Sequence, residues 1–167
     1  MAVGDEIRQY AIARATDDVR ETLQWLEANG YALVGQQGGP EESFGNVQLR
    51  YEGPDGVVVA TRDRGQWVLE VARNPEAALV QYDLALAAAE HRDWRDYPHS
   101  LDVLPEQLPE SVRWRHTLPT VLQWLQAAGD ESDTAIARAR DERYVFMWPD
   151  SRKAREAKRR WKAEDRA

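Results

Sequence analysis

Five side chains able to bind a metal crowd one stretch of the sequence: His91, Asp93, Asp96, His99 and Asp102. Imidazole and carboxylate are ordinary zinc ligands, but their spacing here matches no ligand signature such as HExxH, whose histidines sit one helical turn apart. Asp and His are also frequent after helices because they form turns and caps. A loop that holds no metal is therefore expected. His116 stands among Arg113, Trp114 and Arg115 with no carboxylate beside it, and reads as structural or exposed. Ser43, Ser100, Ser111, Ser132 and Ser151 lack the glycine-flanked elbow of a hydrolase nucleophile, and only three histidines exist to act as base. The carboxylate pairs Asp17/Asp18, Glu41/Glu42 and Glu131/Asp133 fall at expected helix starts or in a polar loop, where capping and the helix dipole account for them. Gly38-Gly39 has neither the lysine nor the strand–helix setting of a phosphate cradle. No catalytic residue, metal or cofactor is expected.

The elements that position these groups alternate in no βαβ pattern, which points to an α+β fold. Residues 4–28 read as helix with a break near Thr16, whose hydroxyl and following acids suit an N-cap. Asn29-Gly30 supplies the left-handed stop, and a strand over residues 31–36 follows. Asn74-Pro75 reads as an N-cap and first residue of a helix reaching about Arg92. Residues 93–104 form a loop, short proline-punctuated helices come next, and one is expected from about Pro119 to Ala128. A last helical region after Asp130 is broken at Pro149. Thr22–Gly30 and Val121–Gly129 match at six of nine positions, read as two helix ends with one packing need.

Residues 46–73 carry the clearest signal, a three-stranded antiparallel meander with a fourth strand before it. Pro54-Asp55-Gly56 and Asp63-Arg64-Gly65 read as three-residue turns ending in glycine. That register puts Tyr51 opposite Val59 and Val57 opposite Val71. It gathers Val57, Val59 and Thr61 on the face of Leu49 and Leu69, and leaves Val58, Ala60 and Val68 among Arg50, Arg62 and Glu70. This second face is too apolar to be plainly solvated. Arg50, Arg62, Arg64 and Glu70, with the aromatic pair Trp94 and Tyr97, are the expected partner-binding residues.

The chain has 167 residues, 43% of them hydrophobic, seven tryptophans and no cysteine. It is long enough to bury a core without disulfides, and it shows neither a signal peptide nor an apolar run of the roughly 20 residues that span a membrane. A cytoplasmic protein is expected. Residues 151–167 hold eight Lys/Arg against three Asp/Glu, and residues 1–150 hold 14 against 26. The organisation reads as one domain over 1–150 with a basic helical tail over 151–167. Cations interleaved with an aromatic (Arg152, Lys153, Arg159, Arg160 and Trp161) could meet nucleic acid, although the acidic body opposes that.

The segment Val47–Val71, and above all its turn Arg62-Asp63-Arg64-Gly65-Gln66-Trp67, resembles the central meander of small actinobacterial proteins of uncharacterised or immunity type. The resemblance covers about 25 residues and carries over no binding residue. It implies a small cytosolic protein that neutralises a toxin by covering its active site. With the acidic charge, the expected function is a non-enzymatic protein-binding domain directed at a basic, nuclease-like toxin. The alternative is a nucleic-acid-associated or regulatory protein that uses the basic tail. Oligomeric state is left open.

Overall fold

A computed structural model describes residues 3–41, 43–92 and 113–164. The expected break near Thr16 separates α1 (Val3–Ala13) from α2 (Asp17–Ala28), and Thr16 holds the N-cap position, but its hydroxyl makes no capping hydrogen bond. Strands β1 (Ala32–Gly38), β2 (Val47–Gly53), β3 (Gly56–Asp63), β4 (Gln66–Ala72) and β5 (Val80–Gln81) form one antiparallel sheet in sequence order. After β5 every regular element described is helical: α3 (Tyr82–Ala89), α4 (Trp114–Ala128), α5 (Asp130–Met147) and α6 (Arg152–Glu164). The fold is α+β, with five strands rather than the expected three or four. The extra strand is the two-residue β5. Asp93, Trp94, Asp96, Tyr97, His99 and Asp102, with Pro105 and Pro109, lie outside the described residues; His91, inside them, is exposed and has φ 52°.

The meander is present, but its register differs from the expected one by a residue. Gly53 pairs with Gly56 and Asp63 with Gln66, so both connections hold two residues, Pro54-Asp55 and Arg64-Gly65. Arg64 and Gly65 both have positive φ, 49° and 89°, the backbone of the tight turn whose twist matches a hairpin. Tyr51 therefore faces Val58, and Val58 faces Val71. The cause lies in β3. Val57-Val58-Val59-Ala60 is apolar on both faces, so alternation within that strand cannot choose between registers one residue apart. Val58 and Ala60 enter the main core with Tyr51, Leu49, Leu69 and Val71. Val57 and Val59 form a small second cluster with Ala72 on the other face. Arg62 now pairs with Trp67. At the end of its strand its guanidinium escapes the core by donating to the carbonyls of Gly45 at 2.9 Å and Phe44 at 3.5 Å.

One layer of helices covers the main face. Val19, Leu23 and Leu26 of α2 and Leu118, Val121, Leu122 and Leu125 of α4 are buried on it. Within the repeated nonapeptide the burial is also repeated: Leu23 and Leu26, like Leu122 and Leu125, are buried, Trp25 and Trp124 half-buried, Gln24 and Gln123 exposed. The two segments are neighbouring helix ends in one layer, as their composition suggests. α4 begins five residues before Pro119, earlier than expected. Asp18, buried in α2, accepts the amide hydrogens of Trp114 at 3.1 Å and Arg115 at 3.2 Å and so caps α4 from another element. The helix expected from Asn74 is a single turn. Asn74 Oδ1 does accept from the Glu76 and Ala77 amides, at 3.1 and 2.8 Å, yet the chain then extends so that Val80 can pair with Val71. Sheet pairing overrides the cap, and α3 starts only at Tyr82.

Candidate partner-docking site

α5 is fixed by a buried ion pair. Arg143 donates to Asp83 at 2.5 Å and to Gln81 at 2.8 Å, which joins the C-terminal part of α5 to the start of α3 and to β5. Four residues later α5 ends at Met147, because Pro149 has no amide hydrogen to continue it. Ser151 turns the chain: its hydroxyl donates to the Trp148 carbonyl at 2.9 Å and accepts the Ala154 amide hydrogen at 3.1 Å, capping α6. α6 then folds back along α5. Ala154 and Ala157 are buried in the seam, Arg160 meets Asp141 at 2.6 Å, and Arg138 meets Glu164 at 3.3 Å while lying 4.2 Å from the Trp161 ring centre.

At this corner the last turn of α5 is apolar around its whole circumference. Phe146 is 60% exposed, Met147 47% and Trp148 52%. The rings of Tyr144 and Trp148 pack with centroids 5.1 Å apart. Met147 and Tyr144 continue into a groove of about 320 Å³ between α5, α6 and β5, whose apolar lining includes Leu79, Val80, Leu84 and Ile136. Its charged groups are Arg140, Arg143 and Lys153 against Glu70. Lys153 Nζ sits 4.4 Å from the Tyr144 ring centre, a cation–π contact.

The described residues expected to bind a partner, Arg50, Arg62, Arg64 and Glu70, do not converge. Arg50 and Glu70 share the outer sheet face, in register on either side of Val59, and Arg50 is paired with Glu52 at 2.9 Å. Arg62 belongs to the core-facing column. Arg64 lies at the far hairpin tip, its guanidinium 5.8 Å from the ring centre of the exposed Phe44. Of these four, only Glu70 reaches the groove. Beside Arg62 and Asp63 a second depression of about 470 Å³ is lined largely by amide and hydroxyl side chains, among them Gln37, Asn46, Gln48 and Thr61. The five tail residues divide likewise. Lys153, Arg160 and Trp161 contact α5, whereas Arg152 pairs with Glu156 of its own helix and Arg159 is exposed. Trp161, the aromatic that base stacking would use, is half-buried under Arg138.

Phe146, Met147, Trp148 and Arg140 belong to no motif that sequence reasoning recognises. The signal that could have found them is the unbroken run Tyr144-Val145-Phe146-Met147-Trp148 before Pro149, since a solvated amphipathic helix interrupts such a run every second or third residue.

The shifted ionisations lie elsewhere and have structural causes. Burial raises the Asp18 carboxyl, partly opposed by the amides it caps. Burial pushes the Tyr31 hydroxyl up to about 12 and raises that of Tyr51, which donates to Glu27 at 3.2 Å. Glu27 also holds Arg8 at 2.6 Å, and that hydrogen bond raises Arg8. Among the described residues no group of three or more His, Cys, Asp or Glu is placed to hold a metal, and no helix is long and apolar enough to cross a membrane. Comparison with protein-family models, curated proteins and solved structures finds no match.

Proposed function

We propose that this chain is a non-enzymatic protein-binding domain, acting as immunity proteins do, which docks its partner at the α5–α6 corner. The observation that carries this reading is the exposure of Phe146, Met147 and Trp148 together, beside an apolar groove. Single exposed apolar residues are ordinary, but a contiguous group marks a surface that another molecule covers. Aromatic residues and methionine are enriched in the cores of protein interfaces, and tryptophan is foremost among residues that dominate binding energy. A large ring buries on the order of 150–250 Å² when wholly covered, and about half of that is left for a partner to cover on Phe146 and Trp148.

Charge constrains the partner in two ways. The net charge of −7 speeds association with a basic domain, such as one that acts on nucleic acid. The corner itself carries exposed Arg140, Arg152, Lys153 and Arg155, so the contact proper favours apolar and acidic groups of that partner. The test is affinity purification of the tagged chain from its own host, together with growth protection against the product of a neighbouring gene. Capture and protection that both vanish with Phe146→Ala/Trp148→Ala support the reading. A chain that captures nothing encoded nearby and protects against no toxin overturns it.

A further inference from the structure

We propose that the groove beside the corner receives the free C-terminal end of a partner chain, its last apolar side chain on the groove floor and its carboxylate between Arg140 and Lys153. This inference rests on the docking reading above and gives the partner a chemical identity. Three observations carry it.

The groove runs along a sheet edge. β5 is the last strand of the sheet, and among the described residues none pairs beyond it. Its Val80 and Gln81 form one wall, and α5 with the start of α6 forms the other. An open strand edge facing a helix suits an extended segment, which adds backbone hydrogen bonds along the strand and places alternate side chains in pockets. Size agrees with this. A volume of about 320 Å³ is near the lower limit of ligand sites, room for a side chain or two and too short for the several turns of a docked helix.

Charge selects which end of an extended segment enters. The floor is apolar, with Leu84 and Ile136 each 3% exposed, so the entering side chain is apolar too. At the groove, Arg143 is balanced by Asp83 at 2.5 Å, which leaves Arg140 and Lys153 against Glu70 among the described lining residues. An anionic group next to an apolar side chain is what a C-terminal residue presents. A chain interior presents a neutral peptide at the same place.

The experiment uses the full chain and fluorescein-labelled octapeptides ending in Leu, Val, Ile or Phe, each as the free acid and as the C-terminal amide. Fluorescence anisotropy is expected to detect binding of at least one free acid, with its amide weaker by about tenfold or more, a difference of about 1.4 kcal/mol. Arg140→Ala and Lys153→Ala, both surface changes, are each expected to weaken the acid by several-fold and the amide hardly at all. Amides that bind as well as acids, or no octapeptide bound more tightly than about 1 mM, overturn the proposal. The two readings fail separately. If Phe146→Ala/Trp148→Ala abolishes capture of the native partner while amidation of the peptides is immaterial, the corner stands and the carboxylate site falls. If amidation matters but that double variant captures its partner undiminished, the groove stands and the corner falls.

Discussion

Asp18 sits in the first turn of α2, where an acid is expected to serve its own helix, yet its carboxylate serves α4. Burial is the larger influence and raises its pKa. The folded chain therefore holds this proton more tightly than the unfolded chain does. Its contribution to stability is full below the ordinary aspartate range and is lost as pH rises through the raised value. Asp18→Asn cannot titrate, so the stability of the wild type relative to this variant should fall as pH climbs from the ordinary aspartate range toward neutrality, then level off. Urea unfolding of both proteins across that interval checks the sign, and a relative stability that rises with pH would contradict it. Arg143 makes a different kind of prediction. It is buried against Asp83, so Arg143→Ala takes the nearest cation from a largely buried carboxylate and should cost about 3–5 kcal/mol. Arg143→Met/Asp83→Leu removes both charges and should recover a large part of that loss, read by the same denaturation.

At the scale of elements, the two hairpin turns separate backbone strain from crowding. Gly65 has φ 89°, and a Cβ added there would meet nothing nearer than Arg62 Nη2 at 3.7 Å, an ordinary contact. At Gly56, φ 133°, an added Cβ would lie 2.4 Å from the carbonyl oxygen of Ala72. Gly65→Ala should cost about 1 kcal/mol from conformation alone, and Gly56→Ala clearly more, about 2–3 kcal/mol, because two strands must part. Equal losses in thermal unfolding would show that β3 and β4 are not paired in this register. The helices teach a related lesson. α2 and α4 were legible as helix ends from Leu-Gln-Trp-Leu followed by glycine, because a local pattern sets both the buried stripe and the stop. The true start of α4 was not, since its cap comes from a residue 96 positions away. Asn74 failed in the opposite direction: a good local cap was outcompeted by pairing of Val80 with Val71.

For the whole molecule the consequential surface is the corner where α6 returns on α5. Phe146 and Trp148 are more than half exposed, so Phe146→Ala/Trp148→Ala should lower folding stability by no more than about 1–2 kcal/mol, in part through the lost Tyr144–Trp148 ring contact, while removing partner capture. A large drop in melting temperature would assign these side chains to the core instead. Removal of residues 151–167 should behave differently. It uncovers the seam that buries Ala154 and Ala157 and breaks the Arg160–Asp141 and Arg138–Glu164 pairs, so it should lower the melting temperature as well as binding. Loss of polyanion binding with unchanged stability would instead favour a nucleic-acid role for the tail.

The sequence by itself determined the α+β class, the helix break at Thr16, the three central strands and the stop at Pro149. Each of these depends on neighbouring residues: a Thr-Asp-Asp helix start, a turn, an alternation, a missing amide hydrogen. Only the tertiary structure decided the register of β3, because four consecutive apolar residues satisfy either face. It alone separated Arg62 from Arg50 and Glu70, a direct result of that one-residue shift. It alone turned the basic tail inward onto α5, where pairing with Asp141 depends on residues 19 positions apart. And it brought Leu79, Tyr144 and Met147 to one groove, since the burial of a side chain is a property of the elements around it and not of the segment that carries it.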